Sequence, residues 1–96
     1  MLIATLIEKK WLFRRLNVVT PEGVFEVAYD GTGAGYESVL IDGNLAVKTI
    51  SYLWYVPEFN FQIGSLSANI NVRISWKLEI SFFSLEVDGH QLYSEE

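Results

Sequence analysis

Apolar and polar residues alternate along most of this chain with a period of two. Leu66, Ala68, Ile70, Val72 and Ile74 point one way, and Ser67, Asn69, Asn71, Arg73 and Ser75 point the other. Such alternation predicts a strand with one buried face, here about nine residues long. Phe25, Val27 and Tyr29 alternate in the same way with Val24, Glu26 and Ala28, as do Phe59, Phe61 and Ile63 with Asn60 and Gln62. Val39 and Ile41 form the inward face of another strand. Residues 5–19 read as an extended or twice-used strand that ends at Thr20-Pro21-Glu22-Gly23, where Pro and Gly occupy favoured turn positions. Later, a turn near Trp76-Lys77 leads to Leu78, Ile80 and Phe82, after which the apolar phase moves to Phe83, Leu85 and Val87. A one-residue shift of phase predicts a β-bulge or a change of sheet.

The punctuation agrees with the alternation. Tyr29-Asp30-Gly31, Ile41-Asp42-Gly43 and Val87-Asp88-Gly89 each place Asp-Gly after an apolar or aromatic residue. Asp-Gly between strands is a hairpin signal, because a type I′ turn needs positive φ at both central residues. Gly43 and Gly89 are therefore expected at positive φ. Residues 45–56 are two-sided: Leu45, Val47, Ile50 and Leu53 or Trp54 fit a loose helical spacing, yet the stretch is rich in β-branched and aromatic residues. Without an N-cap, and with strand patterns on both sides, it is assigned as strand up to Pro57. The expected architecture is all-β: an antiparallel β-sandwich of seven or eight strands, one domain over residues 1–96.

Composition narrows the function. Half of the residues are apolar and fifteen per cent aromatic, ample for a core and incompatible with global disorder. The opening run of residues 2–7 stops at Glu8, too short to span a bilayer, and it lacks the features of a signal peptide. Neither membrane insertion nor a cleaved leader is expected. With no cysteine, disulfides, thiolate metal sites and a cysteine nucleophile are excluded, and a reducing, cytoplasmic setting is expected. A net charge of −5 argues against nucleic-acid binding. The sign is uneven, since Lys9, Lys10, Arg14 and Arg15 fall within seven positions.

No stretch announces catalysis. Gly31-Thr32-Gly33-Ala34-Gly35 has Tyr36 where a dinucleotide fingerprint needs glycine, and no helix pattern follows; it reads as a hairpin connection. Asp30 and Thr32 lack the oxygen-rich series of a calcium loop. His90, the single histidine, is expected to be solvated at the start of the last strand. No catalytic residue, cofactor or metal is therefore assigned. Two aromatic stretches remain. In Lys9-Lys10-Trp11-Leu12-Phe13-Arg14-Arg15, the cations flank Trp11 and Phe13, either as a charged sheet edge or as a site for an anionic surface. Tyr52-Leu53-Trp54-Tyr55-Val56 places large residues on both faces of a strand, so it either fills the core on both sides or leaves aromatics outside it.

From residue 24 to residue 92 the order of motifs resembles a domain of the Fas apoptotic inhibitory molecule family. The resemblance runs from the strand and loop at Phe25 to Gly35 through Val39-Leu40-Ile41-Asp42-Gly43, the aromatics around Trp54 and Phe61-Gln62-Ile63-Gly64. It continues in Ala68-Asn69-Ile70-Asn71-Val72 and Leu85-Glu86-Val87-Asp88-Gly89-His90-Gln91-Leu92. It implies a compact antiparallel β-sandwich without enzymatic activity that works through protein contacts. Members are associated with death-receptor signalling and with protection against aggregation. That family carries two such domains in tandem, and the first twenty residues here match neither, so an apoptotic role does not carry over.

The reading is a non-catalytic interaction domain that binds a protein partner or forms a homo-oligomer. Its partner surface would draw on Trp11, Phe13, Tyr52, Trp54 and Tyr55. The alternative is a carbohydrate- or lipid-binding module using an aromatic sheet face.

Overall fold

The computed structural model describes residues 2–32, 36–50 and 57–95. Nine strands stand among them: β1 (Ile3–Lys10), β2 (Phe13–Thr20), β3 (Gly23–Asp30), β4 (Tyr36–Ile41), β5 (Asn44–Ile50), β6 (Glu58–Ile63), β7 (Leu66–Ile74), β8 (Ile80–Val87) and β9 (His90–Glu95). They form two antiparallel meanders, β1-β2-β3-β4-β5 and β6-β7-β8-β9, with each strand beside its sequence neighbour. The fold class read from the alternation is the one observed. The expected seven or eight strands become nine, because the opening segment is used twice. No helix of the described residues is long and apolar enough to cross a membrane.

Of the two readings of residues 5–19 the twice-used strand is the one observed, and its connection is the two-residue turn Trp11-Leu12, between the paired residues Lys10 and Phe13. It contains no Gly, Asn or Asp; Leu12 itself takes φ 53°. The expected Asp-Gly turns are present. Asp42-Gly43 (φ 52° and 81°) and Asp88-Gly89 (φ 52° and 79°) each link directly paired residues, with the positive φ at both centres that type I′ requires. Asp30-Gly31 is different. Asp30 pairs with Ser38, so a longer connection follows, and the Asp30 carboxylate accepts the Thr32 amide at 2.9 Å. Gly31 is buried and donates its N–H to the Leu12 carbonyl at 2.8 Å.

Inward rows of both sheets build the core. On β2, Leu16 and Val18 are fully buried, and on β7 Ala68, Ile70, Val72 and Ile74 are buried as the alternation predicts. Tyr29 crosses the interface between the sheets, its ring 5.6 Å from Phe59 and 5.9 Å from Phe83 in tilted geometry. Its hydroxyl donates to the buried carboxylate of Glu37 at 2.7 Å, so this polar pair is satisfied inside the core. The phase shift in β8 is a bulge at Ser81. Ile80 pairs with Ile74 and Phe82 with Arg73, leaving Ser81 extra and returning Phe83 to the core. Leu78, expected as an inward strand residue, instead lies in the preceding loop at φ 62°, 41% exposed.

Of the ambiguous segment, residues 45–50 are strand, as assigned. Residues 51–56, with Tyr52, Trp54 and Tyr55, lie outside the described residues.

Candidate functional site

Strand direction divides the sandwich into two unlike ends. At one, the connections β2–β3, β4–β5, β6–β7 and β8–β9 are all two-residue turns. The other end holds the Trp11-Leu12 turn, the exit of β3, the loop of residues 75–79 and the end of β9. Hydrogen bonds fasten the 75–79 loop: Ser75 donates to the Glu79 carbonyl at 2.8 Å, and Leu78 donates to the Ser75 carbonyl at 2.9 Å. This geometry pushes Trp76 outward to 81% exposure, with the Lys77 ammonium 5.8 Å from its ring centre.

Trp11 stands opposite, 59% exposed at the tip of its turn, and its indole N–H donates to the Leu78 carbonyl at 2.6 Å. One contact therefore joins a loop tip of the first sheet to a loop tip of the second. Trp11, Trp76 and Leu78 are three exposed apolar side chains on the loops of this end. Sequence reasoning selected Trp11 but not the other two, since the meeting spans 67 positions. The available signal was a tryptophan placed in a turn, where no core demands it.

Beneath Trp11 lies Arg14, whose register with Leu16 and Val18 turns it inward, 4% exposed. Its Nε and one terminal nitrogen contact the Glu95 carboxylate at 2.8 to 3.1 Å. The other terminal nitrogen donates to the Lys10 and Phe13 carbonyls, both at 2.8 Å, closing the turn from below. The Tyr93 hydroxyl donates to Glu95 at 2.6 Å, and the Lys9 ammonium lies 3.7 Å from it. Partial burial pushes the Glu95 carboxyl up, but hydrogen bonds from Arg14 and Tyr93 and the nearby cations outweigh it and hold the group below its ordinary value. Burial, together with the bond to Glu95, pushes the Tyr93 phenol up to about 12.

The remaining cations of the opening run lie on the outer face. Glu8 binds Lys10 at 2.8 Å and Arg15 at 2.9 Å, and Arg15 reaches Glu26 at 3.2 Å. Lys9, Lys10, Arg14 and Arg15 thus each have a carboxylate within 4.0 Å, and they do not form an open basic track. Trp11 is not on a strand face with Phe13, as a single strand would have required. It sits in the turn, while Phe13 is half-buried on the outer face of β2. Both still line one cleft of about 300 Å³, with Glu8, Lys10 and Thr32. A second cleft of about 550 Å³, bounded by Lys9, Arg14, Glu79 and Glu95, lies on the other flank of Trp11.

His90 is exposed at the start of β9, where the sequence placed it. Among the described residues, no three His, Cys, Asp or Glu side chains converge as metal ligands. No protein-family model, curated protein or solved structure matches this chain.

Proposed function

We propose that this domain is a non-catalytic interaction module that holds a protein partner at the end of the sandwich carrying Trp11, Trp76 and Leu78. The observation that carries the proposal is the hydrogen-bonded presentation of Trp11 beside the 75–79 loop. Tryptophan is enriched among the residues that dominate protein interfaces, and an anchor already fixed in place loses little entropy on binding. Pairing of all four cations of the opening run supports a protein partner over a polyanion. The resemblance to the Fas apoptotic inhibitory molecule domain points the same way, towards binding without catalysis.

Photo-cross-linking in the cell of origin tests it, with the reactive side chain at position 76 and, as control, at position 67 on the outer face of β7. Discrete adducts from position 76 that are absent from position 67 are expected. Equal adduct patterns from both positions would overturn the proposal. So would a saturable tryptophan fluorescence response to simple sugars or fatty acids, which would favour the small-ligand alternative.

A further inference from the structure

The two ends of the sandwich differ in charge as well as in their loops. All seven Lys and Arg lie in the half that carries Trp11: the four of the opening run, Lys48, Arg73 and Lys77. The half closed by two-residue turns has no Lys or Arg, and it holds Glu22, Glu26, Asp42, Glu86 and Asp88. Among the described residues, Lys48, Arg73 and Lys77 have no carboxylate within 4.0 Å. Lys77 stands beside Trp76, the most exposed large apolar side chain of the described residues. The acidic half offers an apolar cleft of about 520 Å³ between Leu2, Pro21, His90 and Leu92. Pro21 and His90 are exposed; Glu22 follows the proline, and Asp88 shares the turn that leads into the histidine.

We infer that Trp76 of one copy docks head to tail in this cleft of a second copy, with Lys77 against its Glu22 and Asp88. This docking rests on the proposed partner site and names its occupant, the acidic end of the same chain. Charge complementarity selects that occupant. The end with unpaired cations attracts the end that has only carboxylates, whereas two acidic ends repel each other. A net charge of −5 opposes association, yet at physiological salt charges are screened beyond about 8 Å, and the molecule is 38 Å long. The facing ends therefore decide. Packing the indole against Pro21, Leu92 and the His90 ring buries apolar area on both sides, the task for which tryptophan is favoured at interfaces. A protruding side chain and a cleft at different places on one surface make a heterologous contact, which repeats from copy to copy.

Sedimentation velocity of the purified protein from about 10 μM to about 1 mM, in about 0.15 M salt, is the test. The wild-type mass rises with concentration past two chains. Trp76→Ala and His90→Arg, both at exposed positions, each stay at one chain with an unchanged melting curve. Mixed one to one, the two variants share a single intact contact, so the mass stops at two chains. Two-fold pairing would not give that result. Carbodiimide coupling of the wild type reports the geometry without any variant, as an amide between Lys77 and Glu22 or Asp88. Within one copy the eight residues of β8 hold Lys77 and Asp88 about 24 Å apart, so such a link joins two copies. A single-chain mass throughout, a mixture of folded variants that stays at one chain, or the absence of a Lys77 link would each overturn the inference. Discrete adducts from position 76 in cells, without self-association of the purified protein, would leave the partner site standing and overturn only its occupant.

Discussion

Leu12 combines left-handed backbone with full burial: φ is 53° and exposure 1%. The left-handed conformation costs a leucine about 1–2 kcal/mol, and burying the side chain gains about 1.5–3 kcal/mol, so burial wins. A reversed order of variants follows. Leu12→Ala keeps the backbone strain and loses the burial, whereas Leu12→Gly loses the burial and relieves the strain. Glycine should therefore be the milder substitution by about 1 kcal/mol in chemical denaturation. If alanine proves milder, the left-handed turn is wrong. Gly31 poses the opposite problem. A Cβ there would lie 2.7 Å from the Tyr29 hydroxyl oxygen and 3.3 Å from the Leu12 carbonyl oxygen. Tyr29 is held by Glu37 and cannot withdraw freely, so Gly31→Ala should destabilise by roughly 1–3 kcal/mol, the range for overpacking. An unchanged denaturation midpoint would contradict that. At this scale, Gly43 and Gly89 were legible because their turn type demands them. Leu12 was not, because its strain is repaid by tertiary burial that no local rule records.

Among the elements, β9 is held to the first sheet through Arg14 and Glu95. Arg14 is buried, while Glu95 is half-buried and keeps Tyr93 and Lys9, so Arg14→Ala should cost about 1–3 kcal/mol, and Arg14→Met, which keeps the volume, should cost less. Equal losses in urea denaturation would mean that the packed volume of the side chain contributes nothing beyond the ion pair and its hydrogen bonds. The same network sets the pH profile. Glu95 is held below the ordinary carboxyl value, as are Glu8, by its bond to Lys10, and Glu22, by its bonds to Ser65. A lowered carboxyl pKa gives stability that is present above the unfolded value of 4.5 and lost as pH falls through the folded value. Tyr93 acts at the other limit: its folded pKa, about 12 against 10.0, means that stability is lost as pH rises from 10 towards 12. Urea midpoints should be flat between these limits. Glu95→Gln should shallow the acid limb and Tyr93→Phe the alkaline one; unaltered limbs would refute the assignment. Strands such as β7 were legible because one face is wholly apolar and the other wholly polar. Leu78 was misplaced because an apolar residue in the correct phase is indistinguishable, from sequence, from one that a loop has pushed outward.

For the whole molecule, the two ends of the sandwich are unlike, and the proposed partner site lies at one of them. Four two-residue turns close one end, while the other presents Trp11, Trp76 and Leu78 over the Arg14–Glu95 pair. The sandwich was legible from alternation and turns, and so was Trp11 as a candidate surface residue. The meeting of Trp11 with the 75–79 loop was not, because it depends on how two sheets align rather than on either strand. The most direct measurement is photo-cross-linking from position 77, between wild type and the variant Trp11→Ala, Trp76→Ala, with melting temperatures recorded for both. Loss of the adducts in the variant, with little change in melting temperature, is expected, since both side chains are mainly exposed. Retention of the same adducts by a folded variant would contradict it.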